Sequence, residues 1–335
     1  MKIGVVGCGA LGSFYGAKLC RAGQNVRFLL RSDYDTVRHQ GVRIRSVDGD
    51  FDARPHCART PEAIGPCDLV LIGLKTTAND RFPQLLPPLV GPHTRVLTLQ
   101  NGLGNEPRLA ALFGPDRILG GLCFVCLNRV APGVIEHTAH GHVVVGEYQR
   151  RPTDQAHEVV ALFEQAGVPC RVTEGLERAH WEKLVWNVPF NGLGVAGAAG
   201  FEAVVRGRWS RGVEPGPCLA TEVLLGDAGW ERLVRELMDE VIAAGRALGF
   251  EMDEGLAEEN VERTRCMGAY KASTLIDFER GQSIELDGLF LEPLRQARAA
   301  GVATPRLAAM GEVLKELEAW NQNRHPPAAG TDSPG

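Results

Sequence analysis

The stretch Lys2-Ile3-Gly4-Val5-Val6-Gly7-Cys8-Gly9-Ala10-Leu11-Gly12 decides the fold of this chain. Its apolar first half is typical of a buried strand, and its glycine-rich second half leads into a helix-like stretch that ends near Ala22. A second apolar run, Val26 to Leu30, follows. Strand, glycine turn, helix and strand in this order form a dinucleotide-binding fingerprint, in which the turn and the helix N-terminus hold a pyrophosphate. An ordinary glycine turn is the alternative interpretation.

Arg31 indicates which dinucleotide this fold would bind. An NAD enzyme usually carries Asp or Glu after the second strand, where the carboxylate binds the ribose 2′-hydroxyl. Here Arg31 and Ser32 supply a cation and a hydroxyl that suit a 2′-phosphate, so the sequence predicts NADP(H) as the cofactor. A solvated surface arginine is the alternative, and Asp33 is close enough in sequence to compete for the ribose.

The composition limits the class of protein. The 335 residues can bury a large core and favour two domains, and 44% apolar and 23% charged residues are ordinary for a globular protein. The net charge of −5 offers no basic field for nucleic acid or anionic lipid. No apolar run reaches the roughly 20 residues of a membrane span, and the N-terminus resembles a strand rather than a signal peptide. Nine scattered cysteines fit a reducing compartment, so we expect a cytoplasmic location.

The pattern predicts an α/β protein in which a Rossmann-type, doubly wound sheet precedes an all-helical domain. Residues 1–175 alternate between strand-like and helix-like segments, whereas residues 176–320 have helical periodicity. The second domain is expected to have helices at 176–190, 220–248, 255–276, 284–300 and 305–320, with a long loop within 192–217. The polar tail 321–335 is expected to be disordered. Exposed helices in the second domain make a homodimer a candidate assembly.

Two groups of metal-binding residue types are better explained by local structure. Cys123 and Cys126 lie in an apolar run, which favours a buried strand over a redox or metal pair. His137, His140 and His142 lie in a polar turn, without an acidic or thiol partner nearby in sequence. We therefore predict no metal site.

Polar residues follow two strand-like runs, at the carboxyl ends where open α/β sheets bind ligands. Lys75 follows the run Leu71 to Leu74, and Asn101 follows Val96 to Gln100. Gly102 allows the tight turn that would present the Asn101 amide. Either residue alone could be a simple loop residue, but the pair at one edge of the sheet favours a shared binding site.

Lys183, Asn187 and Asn191 are spaced four residues apart in a helix-like segment, so they lie along one helix face, here called the polar row. One cation and two amides suit an oxygen-rich, anionic small molecule. A solvated polar stripe is the alternative. Apolar neighbours, including Trp181 and Trp186, instead favour a cleft.

The chain resembles the ketopantoate reductase (2-dehydropantoate 2-reductase) family from residue 1 to about 320. The resemblance rests on these motifs, in chain order: Gly7-Cys8-Gly9-Ala10-Leu11-Gly12, Lys75, Gln100-Asn101-Gly102, Trp181-x-Lys183-Leu184-x-x-Asn187-x-x-x-Asn191, Ser273 and Glu285. Such an ordered set is far more specific than the glycine turn alone.

The resemblance implies a role for each member of the polar row. Lys183 would be the general acid, and Glu285 would hydrogen-bond near it and the reacting oxygen. The hydroxyl and carboxylate groups of the substrate would be held by Asn187, Asn191 and Ser273. These types suit the chemistry, because hydride arriving at a 2-oxo carbon leaves an alkoxide that an ammonium can stabilise and protonate.

The resemblance also implies roles in the first domain. Asn101 would bridge cofactor and substrate, Lys75 would line the same site, and Asn128, matched by position alone, would lie at a strand exit beside the nicotinamide. The implied reaction is the NADPH-dependent reduction of 2-dehydropantoate to (R)-pantoate in pantothenate and coenzyme A biosynthesis.

Two departures from the family pattern lie in the substrate half. Family members commonly follow the last asparagine of the polar row with Pro and then Thr or Ser, whereas here the chain reads Asn191-Gly192-Leu193-Gly194. The stretch 201–225 also looks longer than usual. These departures keep another branched or hydroxylated 2-oxo acid as an alternative substrate. A non-catalytic NADPH-binding sensor is a third interpretation, which the intact Lys183 and Glu285 oppose.

Overall fold

The structure, a computed structural model, describes residues 1–210 and 212–325. The chain divides into two units, Met1–Ala179 and His180–Gly335, and the division falls inside one long helix, Leu176–Ala196. The first unit contains a ten-stranded sheet, and the described residues of the second unit form helices alone. The predicted fold class is confirmed.

The strands of the first unit are β1 Lys2–Val6, β2 Asn25–Leu29, β3 Val42–Ser46, β4 Phe51–Ala53, β5 His56–Ala58, β6 Cys67–Ile72, β7 Val90–Thr98, β8 Ile118–Ala131, β9 Val134–Glu147 and β10 Cys170–Val172. Their order is β4-β3-β9-β8-β7-β6-β1-β2-β5, and β10 pairs with β9. The run from β5 to β8 is parallel, whereas β8–β9 and β3–β4 are antiparallel. A parallel strand such as β6 is apolar because helices cover both faces of the sheet.

The sheet curls around the first helix, α1 (Ala10–Arg21). The Tyr15 hydroxyl donates to the Gly141 carbonyl at 3.4 Å, and the ring of Phe14 lies 4.7 Å from the ring of His137. Both partners belong to β9, although α1 follows β1, which is four strands away in the sheet. The helix therefore fills the inside of the curl.

The other helices of the first unit are α2 Tyr34–Gln40, α3 Pro61–Ile64, α4 Phe82–Leu85, α5 Asn105–Phe113 and α6 Asp154–Gln165, and α7 Leu176–Ala196 continues into the second unit. The second unit adds α8 Phe201–Arg206, α9 Thr221–Gly226, α10 Ala228–Ala247, α11 Leu256–Arg265, α12 Ser273–Glu279, α13 Glu292–Ala299 and α14 Pro305–Arg324. A π-helical turn, Asp287–Leu291, leads into α13. No helix formed by the described residues is long and apolar enough to cross a membrane.

Two segments that were predicted as single helices are each divided. The segment 220–248 breaks at Asp227, whose carboxylate accepts the backbone N–H groups of Gly229 at 2.9 Å and Trp230 at 3.0 Å. This carboxylate caps α10, so the chain starts a new helix there. The segment 255–276 breaks after Arg265, and Ser273 begins the next helix.

The last helix extends past its predicted end at Trp320. Asn321 is 2% exposed, and its amide donates to the Gln282 carbonyl at 3.2 Å. This buried contact continues α14 to Arg324, so the prediction of disorder was wrong for residues 321–324. Residues 326–335 of the predicted tail lie outside the described residues.

The stretch 192–217, predicted to contain a long loop, is partly helical. Helix α7 continues to Ala196, a 3₁₀ turn follows at Gly197–Ala199, and α8 comes next. Two backbone hydrogen bonds join the segment beyond α8 to the end of α7 and to the 3₁₀ turn. The Leu219 N–H donates to the Gly194 carbonyl at 2.8 Å, and the Gly216 N–H donates to the Ala198 carbonyl at 2.7 Å.

Candidate active site

The glycine-rich turn between β1 and α1 excludes side chains at two positions. Gly7 has a φ of +93°, and a Cβ there would lie 2.2 Å from the Leu74 backbone nitrogen. A Cβ on Gly12 would lie 2.3 Å from the Gly7 carbonyl oxygen. At Gly9, in contrast, a Cβ would meet nothing within 4 Å. The turn therefore packs tightly against the backbone at Leu74. At Gly9 it leaves its own backbone open to a ligand, as the dinucleotide-binding fingerprint requires.

The electrostatics of this turn suit an anion. Helix α1 begins at Ala10 without an acidic residue in its first turn, so its N-terminal N–H groups favour negative charge. Burial raises the pKa of the Cys8 thiol well above its ordinary value, and the nearby Cys57 and Asp33 raise that pKa further. Cys8 therefore stays neutral and does not repel a phosphate. The residues present fit a bound dinucleotide.

Arg31 and Asp33, which follow β2, have different surroundings. Arg31 is exposed, whereas Asp33 is 4% exposed and binds Arg129 and Gly133 of the β8–β9 hairpin. The Asp33 carboxylate was considered a competitor for the ribose, but the hairpin already engages it. Arg129 was not predicted as a site residue, because it is distant in sequence and only the curl of the sheet brings it to Asp33.

Lys75 and Asn101 follow neighbouring strands. β6 and β7 pair in parallel, with Ile72 beside Thr98 at their carboxyl ends. Lys75 directly precedes a 3₁₀ turn, and Asn101 is followed by Gly102 with a φ of +79°. Both residues therefore lie in loops at the same edge of the sheet, as the strand-end rule predicts.

A chain of buried amides, formed by Asn79, Gln100 and Asn105, joins these two loops. Gln100 Nε2 donates to Asn79 Oδ1 at 2.7 Å, and Asn79 Nδ2 donates to Asn105 Oδ1 at 2.8 Å. Asn105 Nδ2 donates to the Asn101 carbonyl at 3.2 Å, and Thr98 Oγ1 donates to Gln100 Oε1 at 2.9 Å. The three amide residues are at most 7% exposed, so water does not compete for these bonds. The amide chain holds the loop after β6 against the turn after β7.

The polar row lies on α7, in the second unit. Lys183 is half-buried, whereas Asn187 and Asn191 are 7% and 2% exposed. The apolar residues around them are buried: Trp181, Leu184, Val185, Val188 and Phe190. A solvated polar stripe is therefore the wrong description of the two asparagines.

Asn191 connects α7 with α12. Its Oδ1 accepts the Ser273 hydroxyl at 3.3 Å and the backbone N–H of Thr274 at 3.1 Å. The Thr274 N–H belongs to the first turn of α12, so Asn191 caps that helix from another element. These bonds fix Ser273 beside the polar row, and the Nδ2 group is the donor that Asn191 can offer to a ligand.

Gly192, one of the departures from the family pattern, is explained by packing within the second unit. A Cβ at this position would lie 2.4 Å from Met310 Sδ and 3.0 Å from the ring of Phe290. Met310 on α14 and Phe290 in the π-helical turn fill the place of the missing side chain. The departure therefore does not enlarge a ligand-binding space.

Glu285 directly precedes the helix that contains the π-helical turn. It is 8% exposed, and its carbonyl accepts the Leu289 N–H at 3.2 Å. Single π-helical turns are rare and occur frequently at functional sites. Sequence periodicity does not distinguish a π turn from an α turn, so this feature was missed.

The histidines and cysteines that were considered as metal ligands have other local roles. His137 is 2% exposed, with Nδ1 at 2.8 Å from Ser46 Oγ and Nε2 at 2.9 Å from the His140 carbonyl. Cys123 and Cys126 both lie in β8, as thiols rather than a disulfide. Within residues 1–210 and 212–325, no group of three or more His, Cys, Asp or Glu side chains could hold a metal ion.

Asn128 does not lie at a strand exit, contrary to prediction. β8 continues to Ala131, and Asn128 pairs with Glu136 of β9 inside the hairpin. The strand is longer than its apolar pattern because exposed residues, including Arg129, extend it beyond the core.

The comparisons with known proteins agree along the chain. The family model described as ketopantoate reductase PanE/ApbA matches residues 3–150, and the model of its C terminal matches residues 218–318. A 2-dehydropantoate 2-reductase from a Nostoc species is 36% identical over 331 residues, covering 96% of each chain.

Solved structures give the same result. The crystal structure of 2-dehydropantoate 2-reductase from Geobacter metallireducens is 43% identical, with a TM-score of 0.85, covering 94% of this chain and 99% of that one. The enzyme of the same name from Methylococcus capsulatus is 34% identical, with a TM-score of 0.84 and coverage of 96% and 98%. The chain belongs to the ketopantoate reductase family.

Proposed function

We propose that this protein reduces 2-dehydropantoate to (R)-pantoate with NADPH, a step toward pantothenate and coenzyme A. The observation that carries the proposal is the nearly full-length match to relatives named 2-dehydropantoate 2-reductase, at 36% and 43% identity. The protein is thus an NADP-dependent oxidoreductase that acts on a CH–OH group. Purified protein should consume NADPH with a higher kcat/KM for 2-dehydropantoate than for other 2-oxo acids.

Residues of the first unit would hold the cofactor. The turn from Gly7 to Gly12 suits the pyrophosphate, and Arg31 suits the 2′-phosphate. Lys75 and Asn101 lie at the sheet edge where ligands of open α/β sheets bind. When bound, the nicotinamide supplies the hydride.

Lys183 is the proton donor in this proposal. Reduction of a 2-oxo carbon produces an alkoxide, and an ammonium group both stabilises and protonates that oxygen. Lys183 is the cation of the polar row, and its partial burial makes its electrostatic interactions stronger than in water. Glu285 orients the ammonium and the reacting oxygen, the role that family resemblance assigns to it.

Amides and a hydroxyl recognise the substrate. The carboxylate of a 2-oxo acid accepts N–H and O–H hydrogen bonds, and the substrate hydroxyl can donate or accept. Asn187, Asn191 and Ser273 carry these groups on and beside α7. Family resemblance assigns Asn101 to both substrate and cofactor.

The other two interpretations have less support. Another branched or hydroxylated 2-oxo acid was kept open by the departure at Gly192, but Met310 and Phe290 explain that departure as packing. A non-catalytic NADPH sensor would have no need for Lys183 and Glu285, and both are retained.

Asn191→Ala is expected to raise the KM for 2-dehydropantoate more than the KM for 3,3-dimethyl-2-oxobutanoate, which differs from it only by lacking the terminal hydroxyl. Loss of one neutral hydrogen bond corresponds to about 0.5–1.5 kcal/mol, or roughly 2- to 12-fold in KM. Steady-state kinetics with the two substrates measure the difference. An equal increase for both would mean that Asn191 does not recognise that hydroxyl.

A control is needed because Asn191 also caps α12. Asp227→Ala removes the cap of α10 in the same unit, where Asp227 accepts two backbone N–H groups. It should lower the free energy of unfolding by about 1 kcal/mol and leave both KM values unchanged.

Asn79→Leu is expected to weaken NADPH binding by roughly tenfold, because it breaks two bonds of the amide chain that holds the loops of Lys75 and Asn101. Each buried amide left unpaired should also lower the free energy of unfolding by about 1–3 kcal/mol. Fluorescence titration gives the Kd for NADPH, and urea unfolding gives the stability.

Thr94→Val is the matched control for the amide chain. Thr94 is 2% exposed and lies four residues before Thr98, in the middle of the same strand, where it forms hydrogen bonds with Cys67 and Gly91 and none with the amide chain. It should lose stability and keep the wild-type Kd. A similar rise in Kd for both variants would mean that lost stability, rather than loop position, weakens binding.

The location and assembly belong to the same proposal. All nine cysteines are thiols, which supports a reducing, cytoplasmic compartment. A homodimer is the candidate assembly, and light scattering on the purified protein measures the oligomeric state directly.

A further inference from the structure

The Asp33 carboxylate lies two residues after Arg31, in the region where NAD enzymes bind the ribose with an acidic side chain. In this protein the carboxylate is held by three donors. Oδ1 accepts Arg129 Nη1 at 3.0 Å and Ser32 Oγ at 3.0 Å, and Oδ2 accepts the Gly133 N–H at 3.1 Å. Asp33 is 4% exposed, so these bonds are shielded from water.

Arg129 is the cation among the three donors. It belongs to β8, and its side chain is 43% exposed, so the ion pair joins a partly exposed guanidinium to the buried Asp33 carboxylate. Ser32 and Gly133 can orient the carboxylate, but they cannot neutralise it. Arg129 does both.

The charge of Asp33 matters because a 2′-phosphate is an anion. Like charges repel with an energy that grows as they approach and as the surroundings exclude water, so an unpaired carboxylate beside the phosphate-binding loop would weaken NADPH binding. A carboxylate without its counter-ion would repel the phosphate and could accept a bond from a ribose 2′-hydroxyl. The same loop would then favour NADH.

We propose that Arg129 is a specificity-determining residue for the cofactor. It pairs with Asp33, removes the repulsion that Asp33 would exert on a 2′-phosphate, and so allows Arg31 to select NADPH. The inference rests on the proposed use of NADPH. The choice between NADPH and NADH would then depend on Arg129 of the β8–β9 hairpin as well as on Arg31 in the loop after β2.

The test is a set of charge variants whose Kd values for NADPH and NADH are measured by fluorescence titration. Arg129→Met should weaken NADPH binding by roughly tenfold and leave NADH binding unchanged or stronger. Arg129→Lys keeps the charge and should remain within about threefold of wild type for NADPH. Asp33→Asn leaves Arg129 as an unpaired cation and should keep or strengthen NADPH binding, and the double variant Arg129→Met with Asp33→Asn should recover most of the affinity that Arg129→Met loses.

The rescue separates electrostatics from structural damage. A double variant that binds NADPH no better than Arg129→Met would overturn the proposal, as would an equal loss of affinity for both cofactors. If Arg129→Met does not fold, Arg129→Gln carries the same comparison. A wild-type preference for NADH would contradict the proposed cofactor itself. A wild-type preference for NADPH that is undiminished in Arg129→Met would contradict this inference alone.

Discussion

Lys183→Ala is expected to lower kcat by at least about 10²-fold, with NADPH affinity and folding nearly intact. Lys183 is the cation of the polar row, and the proposed mechanism assigns the proton of the product hydroxyl to its ammonium group. Steady-state kinetics give kcat, and fluorescence titration gives the Kd for NADPH. A variant with near wild-type kcat would remove lysine from the mechanism.

Two further variants sharpen this prediction. Glu285→Ala should also impair turnover, and the double variant should lose less than the product of the two single losses, because the residues act as a unit. Lys315→Ala is the matched control, since Lys315 pairs with Glu312 on the surface of α14 and should leave kcat unchanged. If the loss in the double variant equals the product of the two single losses, Glu285 and Lys183 act independently.

Arg31→Ala is expected to weaken NADPH binding by about 1.5–3 kcal/mol, or roughly 10- to 150-fold, through loss of a charge-assisted hydrogen bond. NADH binding should hardly change, because NADH lacks the 2′-phosphate. The two Kd values measure the difference. Arg43→Ala is the control, since Arg43 is an exposed arginine of the same unit that pairs with Asp52 on the neighbouring strand. Equal loss for both cofactors in Arg31→Ala would contradict a role in phosphate recognition.

The parts of the fold that could be predicted are those with strong local patterns. Continuous apolar runs indicated β1, β2, β6 and β7, and the helix-like stretch predicted after the glycine turn is α1. β3 was missed although Val42 and Ile44 are buried while Arg43 and Arg45 are exposed, the alternation expected of a half-covered strand. β4 and β5 have three residues each, too few for a periodic pattern to emerge.

The helix ends in the second unit show the limits of periodicity. Asp227 was a readable cap, since Asp is favoured at that position, and it marks the break between α9 and α10. The continuation of α14 through Asn321 depends on a bond with Gln282, which lies in another segment. Such contacts arise from packing and cannot be read from the helix itself.

The candidate site also contains residues that the sequence could predict and residues that it could not. Lys75 and Asn101 could be found because a general rule places ligands at strand ends. The amide chain could not be found, since Asn79 and Gln100 are 21 residues apart and meet only when the strands that precede them, β6 and β7, pair. Arg129 and Asp33 are 96 residues apart, and their contact depends on the curl of the sheet.

The most direct test of the account is the kcat/KM of the wild-type protein for a panel of 2-oxo acids, with NADPH and with NADH. The panel contains 2-dehydropantoate, 2-oxoisovalerate and pyruvate, and the product is identified by chiral chromatography. The proposed function predicts that NADPH with 2-dehydropantoate gives the highest value, at least about tenfold above each other pair, with (R)-pantoate as the product. Folded, NADPH-binding protein that leaves 2-dehydropantoate unreduced, or that prefers another 2-oxo acid, would contradict it.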